Sequence, residues 1–352
     1  MNLKKLAIAA LGLAVVAGAG LLLQWKLGGS SAGGRTGQPV LDGVDLNAAA
    51  RIELIGPTTR TTLLARPEGW VVGEQGGFPA DQGKLNTFLL KLAEQKVSDK
   101  VTENPENFAE LGVLTVEENG NKAVDRKTGT QFRILDAAGK PLFQLLIGRD
   151  RAPSTTVSSF GGQYIRYPQE KAAFLIGTTL FAETESKEWI EKPILPRDTE
   201  KQFRLIRVER SDKKTLAVSR EQAESPWQLD GATQRGLNVK EIDNLSKKLR
   251  DLESAQIAPA GSDAKALGRE KLGIVEVRLF DGRAFRLDVG DTKGPDSYRY
   301  VTVRETVDAA AGDALKQQAA AFNARYKDRI LGIPDWDASR LMRERKEYLQ
   351  GN

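Results

Sequence analysis

This chain of 352 residues contains no histidine and no cysteine, so few kinds of side chain are left to do chemistry. Their absence removes cysteine nucleophiles, Ser-His-Asp triads, imidazole or thiolate metal sites and disulfides. What remains is carboxylate chemistry, a Ser/Thr-Lys arrangement, or no catalysis. Two Ser-x-x-Lys matches occur, Ser211 to Lys214 and Ser262 to Lys265, with a Lys-Thr-Gly at Lys127 to Gly129. Acylated-serine enzymes use these motifs with a Ser-x-Asn. Here the Lys-Thr-Gly precedes both Ser-x-x-Lys matches and the chain has no Ser-x-Asn. Ser211-Asp212-Lys213-Lys214 instead reads as a hairpin turn between two strand-like runs. Glu183, Glu185, Glu188 and Glu191 surround Lys187 and Lys192 as a solvated helical face would. There is no phosphate-binding glycine loop and no calcium loop. The expectation is a protein that is not an enzyme and needs no cofactor and no metal. One segment stands apart, Arg149 to Gly162, where Arg149, Arg151, Ser154, Thr155, Thr156, Ser158 and Ser159 form a candidate interaction loop. A loop of that length is either functional or without fixed structure.

The elements that must position such a loop begin with a hydrophobic run. Leu6 to Trp25 carries no charge, and as a helix its twenty residues rise about 30 Å, the thickness of a bilayer core. Lys4 and Lys5 precede it, so residues 1–5 stay cytoplasmic and the rest crosses. The competing reading is a cleaved signal peptide ending near Ala17-Gly18-Ala19. Against it, Leu21, Leu22 and Leu23 extend the run beyond that cut. Ala10, Ala14 and Gly18 make a ridge of small residues on which a second helix could pack, though an Ala/Gly-rich span also makes such ridges by chance. Residues 26–42, rich in Gly and Ser, read as a tether whose ends lie roughly 20 Å apart.

The folded region repeats itself. The spacing that carries Trp70 to Trp227 also carries Leu85, Phe88 and Leu92 to Ile242, Leu245 and Leu249, the stripe of one amphipathic helix. Asp81 falls on Asn238, each at the N-cap. Ile52 and Leu54 alternate with charges as Ile206 and Val208 do. Phe132 and Ile134 lead through a turn at Asp136 to Gly139 into Phe143, Leu145, Ile147 and Gly148. Val277 and Leu279 lead through Asp281-Gly282 into Phe285, Leu287, Val289 and Gly290, so both pairs should be antiparallel hairpins. Further strands are expected at Tyr164 to Arg166 and Tyr300 to Thr302. Trp70 and Trp227 could stack on sugars, but equivalent places in two copies make them core residues first. The fold class is α+β: a transmembrane helix (6–25), then two tandem repeats (43–197 and 198–334), each an antiparallel sheet with one packed amphipathic helix. The copies join near Pro193 to Asp198, and residues 335–352 form a helical tail.

These residues also resemble the domain of unknown function 4340 family of membrane-anchored bacterial proteins. The likeness rests on the basic start and single span, the Ile-x-Leu strand, and Trp70 followed by Pro79-Ala80-Asp81 and a Leu-rich helix. It continues through Phe108 to Leu111-Gly112, Leu145 to Gly148 and Tyr164-Ile165-Arg166. The resemblance implies an extracytoplasmic domain held at the bacterial inner membrane, associated with ABC-type transport systems of the gliding-motility kind. It carries no catalytic residues with it. The expected function is therefore a non-catalytic, membrane-tethered interaction protein, with ABC transporter subunits as partners. The alternative is a periplasmic module for a small-molecule, glycan or peptide ligand. Because 52 basic residues are nearly balanced by 47 acidic ones along the chain, no nucleic acid is expected.

Overall fold

The computed structural model describes residues 34–121, 126–152, 161–197, 202–230, 236–259 and 261–350. The expected span with Ala10, Ala14 and Gly18 lies outside them, as do Ser154, Thr155, Thr156, Ser158 and Ser159. Among the described residues no helix is long and apolar enough to cross a membrane. The chain divides into two compact units, Met1–Ile190 and Glu191–Asn352.

The first unit is built on a nine-stranded antiparallel sheet. Its strands are β1 (Arg51–Ile55), β2 (Arg60–Arg66), β3 (Gly69–Val72), β4 (Phe78–Pro79), β5 (Val97–Thr102), β6 (Thr130–Leu135), β7 (Pro141–Arg151), β8 (Gly162–Arg166) and β9 (Ala173–Ile176). They lie in the order β4-β3-β2-β1-β6-β7-β8-β9-β5. The second unit has β10 (Phe203–Glu209), β11 (Thr215–Ser219), β12 (Gln228–Leu229), β13 (Gln256–Ile257), β14 (Leu272–Leu279), β15 (Arg283–Gly290), β16 (Tyr298–Val307) and β17 (Leu331–Pro334). Its order, β12-β11-β10-β14-β15-β16-β17-β13, repeats that of the first sheet without a counterpart of β4.

Alternation sets which face is buried. In the first sheet Ile52, Ile134 and Phe143 are cross-strand neighbours, as are Leu54, Phe132 and Leu145. In the second, Ile206, Val277 and Phe285 line up, then Val208, Val275 and Leu287. Helix α1 (Gln82–Glu94) buries Leu85, Phe88, Leu89 and Leu92, and the Phe88 ring meets Phe132 edge-on at 5.3 Å and Trp189 at 5.9 Å. A short helix α2 (Phe108–Leu111) follows, and α3 (Val239–Arg250) in the second unit buries Ile242, Leu245 and Leu249. Both Trp70 and Trp227 are buried. The turns at Asp136 to Gly139 and at Asp281-Gly282 close the hairpins β6–β7 and β14–β15, with Gly139 and Gly282 at φ +82° and +89°.

The second unit carries a helix without counterpart in the first: α4 (Asp313–Tyr326), between β16 and β17. Its Phe322 covers Phe285 at 5.3 Å. At the matching place in the first unit Phe143 meets Tyr167 at 6.2 Å, and the Tyr167 hydroxyl donates to Val40 O at 3.0 Å. One packed helix per unit, the sequence expectation, thus holds for the first sheet's long helix and needs correction in the second. The sequence of α4 is alanine-rich, with only Ala319 and Tyr326 buried, so no strong apolar stripe marks it. The acidic run around Lys187 also differs from expectation. Ser186–Trp189 is a single 3-10 turn, held because Trp189 and Ile190 are fully buried.

On the opposite face, the sheets bear charge. Glu53 stands across from Arg133, while at the corresponding pair of strands Arg207 stands across from Glu276, with the signs exchanged. Glu53 is 2% exposed and is enclosed by Arg51, Arg60 and Arg133, the last at 3.1 Å.

One backbone device recurs. Gly112 and Gly268, each after a leucine, both adopt φ +67°. The Gly112 turn backs onto Gly148 of β7, where a Cβ would stand 2.6 Å from Leu111 O and 2.5 Å from Val113 Cγ1. The Gly268 turn backs onto Gly290 of β15, where a Cβ would stand 2.7 Å from Gly268 O. Gly148→Ala and Gly290→Ala should each lower unfolding free energy by about 1–3 kcal/mol in urea titrations, as overpacking against backbone does. The caps give a second, graded expectation. Asp81 accepts from Lys84 N at 2.9 Å and Asn238 from Glu241 N at 3.4 Å. Asp81→Ala should therefore cost about 1 kcal/mol and Asn238→Ala less, read by the same titration.

Candidate functional site

The segment singled out from sequence begins inside a strand. Arg149 and Arg151 belong to β7, whose ladder with β8 continues as far as Arg151 opposite Gly162. Backbone pairing with Gly162 holds Arg151, while Arg149 lies where the register shifts between Ile147 and Asp150. Arg149 Nε donates to Arg126 O at 3.0 Å, and Asp150 accepts from the Thr179 hydroxyl at 3.2 Å. The hydroxyl residues Ser154 to Ser159 fall outside the described residues, so the structure assembles no site from this set.

The serine-lysine motifs are turns. Arg210 N donates to Lys214 O at 3.0 Å across the β10–β11 hairpin, with Lys213 at φ +66° and the Lys214 ammonium 3.2 Å from Asp212. The Ser262 hydroxyl donates to Pro259 O at 2.7 Å. Lys127 to Gly129 lies in the other unit, where the Thr128 hydroxyl accepts from Asn119 at 3.0 Å.

Side chains converge elsewhere, in the second unit. After β17 the chain forms α5 (Asp335–Leu341) and a 3-10 turn, Arg345–Tyr348, and this C-terminal segment is strapped along α3. Asn238 N donates to Tyr348 O at 2.8 Å, Leu237 bridges Leu349, and Gln350 N donates to Gly236 O at 2.8 Å. Two ion pairs add to the strap: Lys248 with Asp337 and Arg343 with Glu241, both at 2.6 Å. Tyr348 and Leu341 supply the apolar underside, at 1% and 0% exposure.

Between the strap and α3 lies a cavity of about 400 Å³, within the range of small-molecule sites. Leu245 and Tyr348 form its apolar part, and its walls are charged. From α3 come Glu241, Asn244, Lys247 and Lys248, with Asp251 just beyond; from the strap come Arg340 and Arg343. Lys248 and Arg343 are committed to the ion pairs above. Lys247 and Arg340 are exposed and form no ion pair or side-chain hydrogen bond with another described residue. Paired hydrogen bonds from Arg250 at 2.7 Å hold the Asp251 carboxyl below its usual range, so it is ionised at neutral pH. Burial pushes the Tyr348 phenol up to about 12, which keeps it a proton donor. Two smaller cavities of about 200 and 210 Å³ adjoin the same segment, lined in part by Arg343 to Lys346 and by Ser339 and Met342. Among the described residues no group of three or more acidic side chains could hold a metal ion.

The family model described as a domain of unknown function (DUF4340) matches residues 70–272, more than half of the chain. The chain belongs to that family. The DUF4340 match runs from β3 to the first residue of β14 and so takes in both Leu-Gly turns and α3, but not the strap. No curated protein and no solved structure matches the chain.

Sequence reading did not find this cavity. The signal was present in two basic runs, Lys247-Lys248-Leu249-Arg250 and Arg340 to Lys346, the latter with four cations in seven residues. Tyr348 also yields a pH expectation, which it shares with Tyr167 and Tyr326, both likewise pushed up to about 12 by burial. Above the ordinary tyrosine value of 10.0 the unfolded chain releases protons that the folded one retains, so stability is present below that pH and falls as pH rises toward about 12. Urea midpoints should drop steadily over that window. Tyr348→Phe, which keeps the ring, should make the drop shallower.

Proposed function

We propose that the protein is a single-span, non-catalytic interaction protein of the bacterial inner membrane, its two units outside the cytoplasm and serving an ABC-type transport system. The observation that carries this reading is the uncharged run Leu6 to Trp25 behind Lys4 and Lys5, followed by the Gly/Ser-rich residues 26–33. Residues 34–42, expected as the rest of the tether, instead pack on the first unit, with Val40 fully buried and Gly37 N donating to Val97 O at 2.7 Å. The two sheets of matching strand order support a further point, that the units are tandem copies of one α+β module. A tether of the eight residues 26–33, roughly 15 Å end to end, keeps such a module within reach of membrane partners. The ridge Ala10, Ala14, Gly18 supplies the lateral face for a neighbouring span.

Protease added to intact spheroplasts should digest both units, and mass spectrometry of the mature protein should recover Leu6 to Trp25. A mature N-terminus at Gly20 overturns the anchor. Exchanging Leu6 to Trp25 for an unrelated span should reduce co-purification with transporter subunits while the melting temperature of the folded units stays the same. Undiminished recovery would remove the ridge from the interface.

A further inference from the structure

We propose that the cavity between α3 and the C-terminal strap binds a small hydroxylated anion, of the chemical class of a sugar acid or sugar phosphate. Two cations on opposite walls, Lys247 on α3 and Arg340 on α5, line it without a partner among the described residues. An exposed cation spends its charge on water, but two that line one half-open cavity lower the free energy of a ligand that brings a negative group to both. Arginine adds a fork of donors matched to carboxylate or phosphate geometry.

The same walls argue against a bare anion. Glu241 and Asp251 also line the cavity, and each keeps acceptor lone pairs beyond those used by Arg343 and Arg250. A ligand carrying only negative charge would be repelled by them. One that also presents hydroxyl donors would satisfy them, and Asn244 offers an amide able to donate and accept. The Tyr348 side chain is 1% exposed and lines the cavity, and its hydroxyl makes no hydrogen bond to another described residue. That hydroxyl is therefore available to donate to an acceptor on a ligand held in the cavity. A volume of about 400 Å³ admits a single sugar ring with its acid group. The anion charge, the hydroxyl requirement and the size are set by different residues and converge on one ligand class.

The test is calorimetric titration of the full-length protein in detergent with four probes: glucuronate, glucose 6-phosphate, glucose and inorganic phosphate. Glucuronate or glucose 6-phosphate should bind more tightly than either glucose or phosphate, and the stronger of the two tells which acid the site prefers. Binding should weaken as ionic strength rises. Lys247→Gln combined with Arg340→Gln should reduce affinity at least about tenfold, since two charge-assisted contacts are lost. Both residues are exposed, so the melting temperature should be unchanged. Tyr348→Phe should weaken binding by about threefold to tenfold, one hydrogen bond. Lys316→Gln, on the exposed side of α4, should have no effect. Failure of all four probes to bind overturns the proposal. So does equal affinity for glucose, or binding that survives the double substitution, which would place the anion elsewhere on the surface.

Discussion

An antiparallel sheet with one apolar face cannot leave that face in water, and the architecture of each unit follows from how the face is covered. In the first unit the cover is α1, with Phe88 edge-on to Phe132, together with Tyr167 and the chain around Val40. In the second the same row of inward residues is present, and α4 covers Phe285 with Phe322. Each fully buried leucine or phenylalanine contributes on the order of 1.5–3 kcal/mol relative to exposure. The cover, more than helix propensity, is therefore what fixes where helices form.

This division explains what could be read from the sequence. The long helices α1 and α3 were legible because apolar spacing and a cap residue agree, and the hairpins because Asp-Gly or Asp-to-Gly turns separate alternating runs. The expected strands at Tyr164 and Tyr300 appear as β8 and β16. Strands β5, β9, β13 and β17 were not read. Strands β9, β13 and β17 are short; β9 is buried at every position and β5 has only Val97 buried, so neither shows alternation. Helix α4 escaped because alanine packs closely without making a stripe. The cavity escaped for a different reason: its walls are some ninety residues apart in the chain, and charge runs on α3 and the strap each look like a solvated surface alone.

The strap joins fold to function. It accepts from Asn238 N, the N-cap residue of α3, shares the apolar lining of the cavity with Leu245 through Tyr348, and brings a cation of α5 to the same cavity as those of α3. Its two ion pairs are partly exposed and individually worth little. What they set is direction: with Lys248 and Arg343 neutralised by Asp337 and Glu241, Lys247 and Arg340 are left as the uncommitted charges.

Two sheets of the same strand order within one chain raise a hazard that neither would face alone, since during folding a strand could join the wrong sheet. The exchanged charges on the outer faces oppose this. If β10 took the place of β1, Arg207 would lie across from Arg133; if β1 took the place of β10, Glu53 would lie across from Glu276. Like charges directly opposite in an antiparallel ladder are unfavourable. In the native pairing each carboxylate faces a guanidinium instead. The sign of one cross-strand pair thus labels which strands belong together, a means of keeping two similar halves from trading parts.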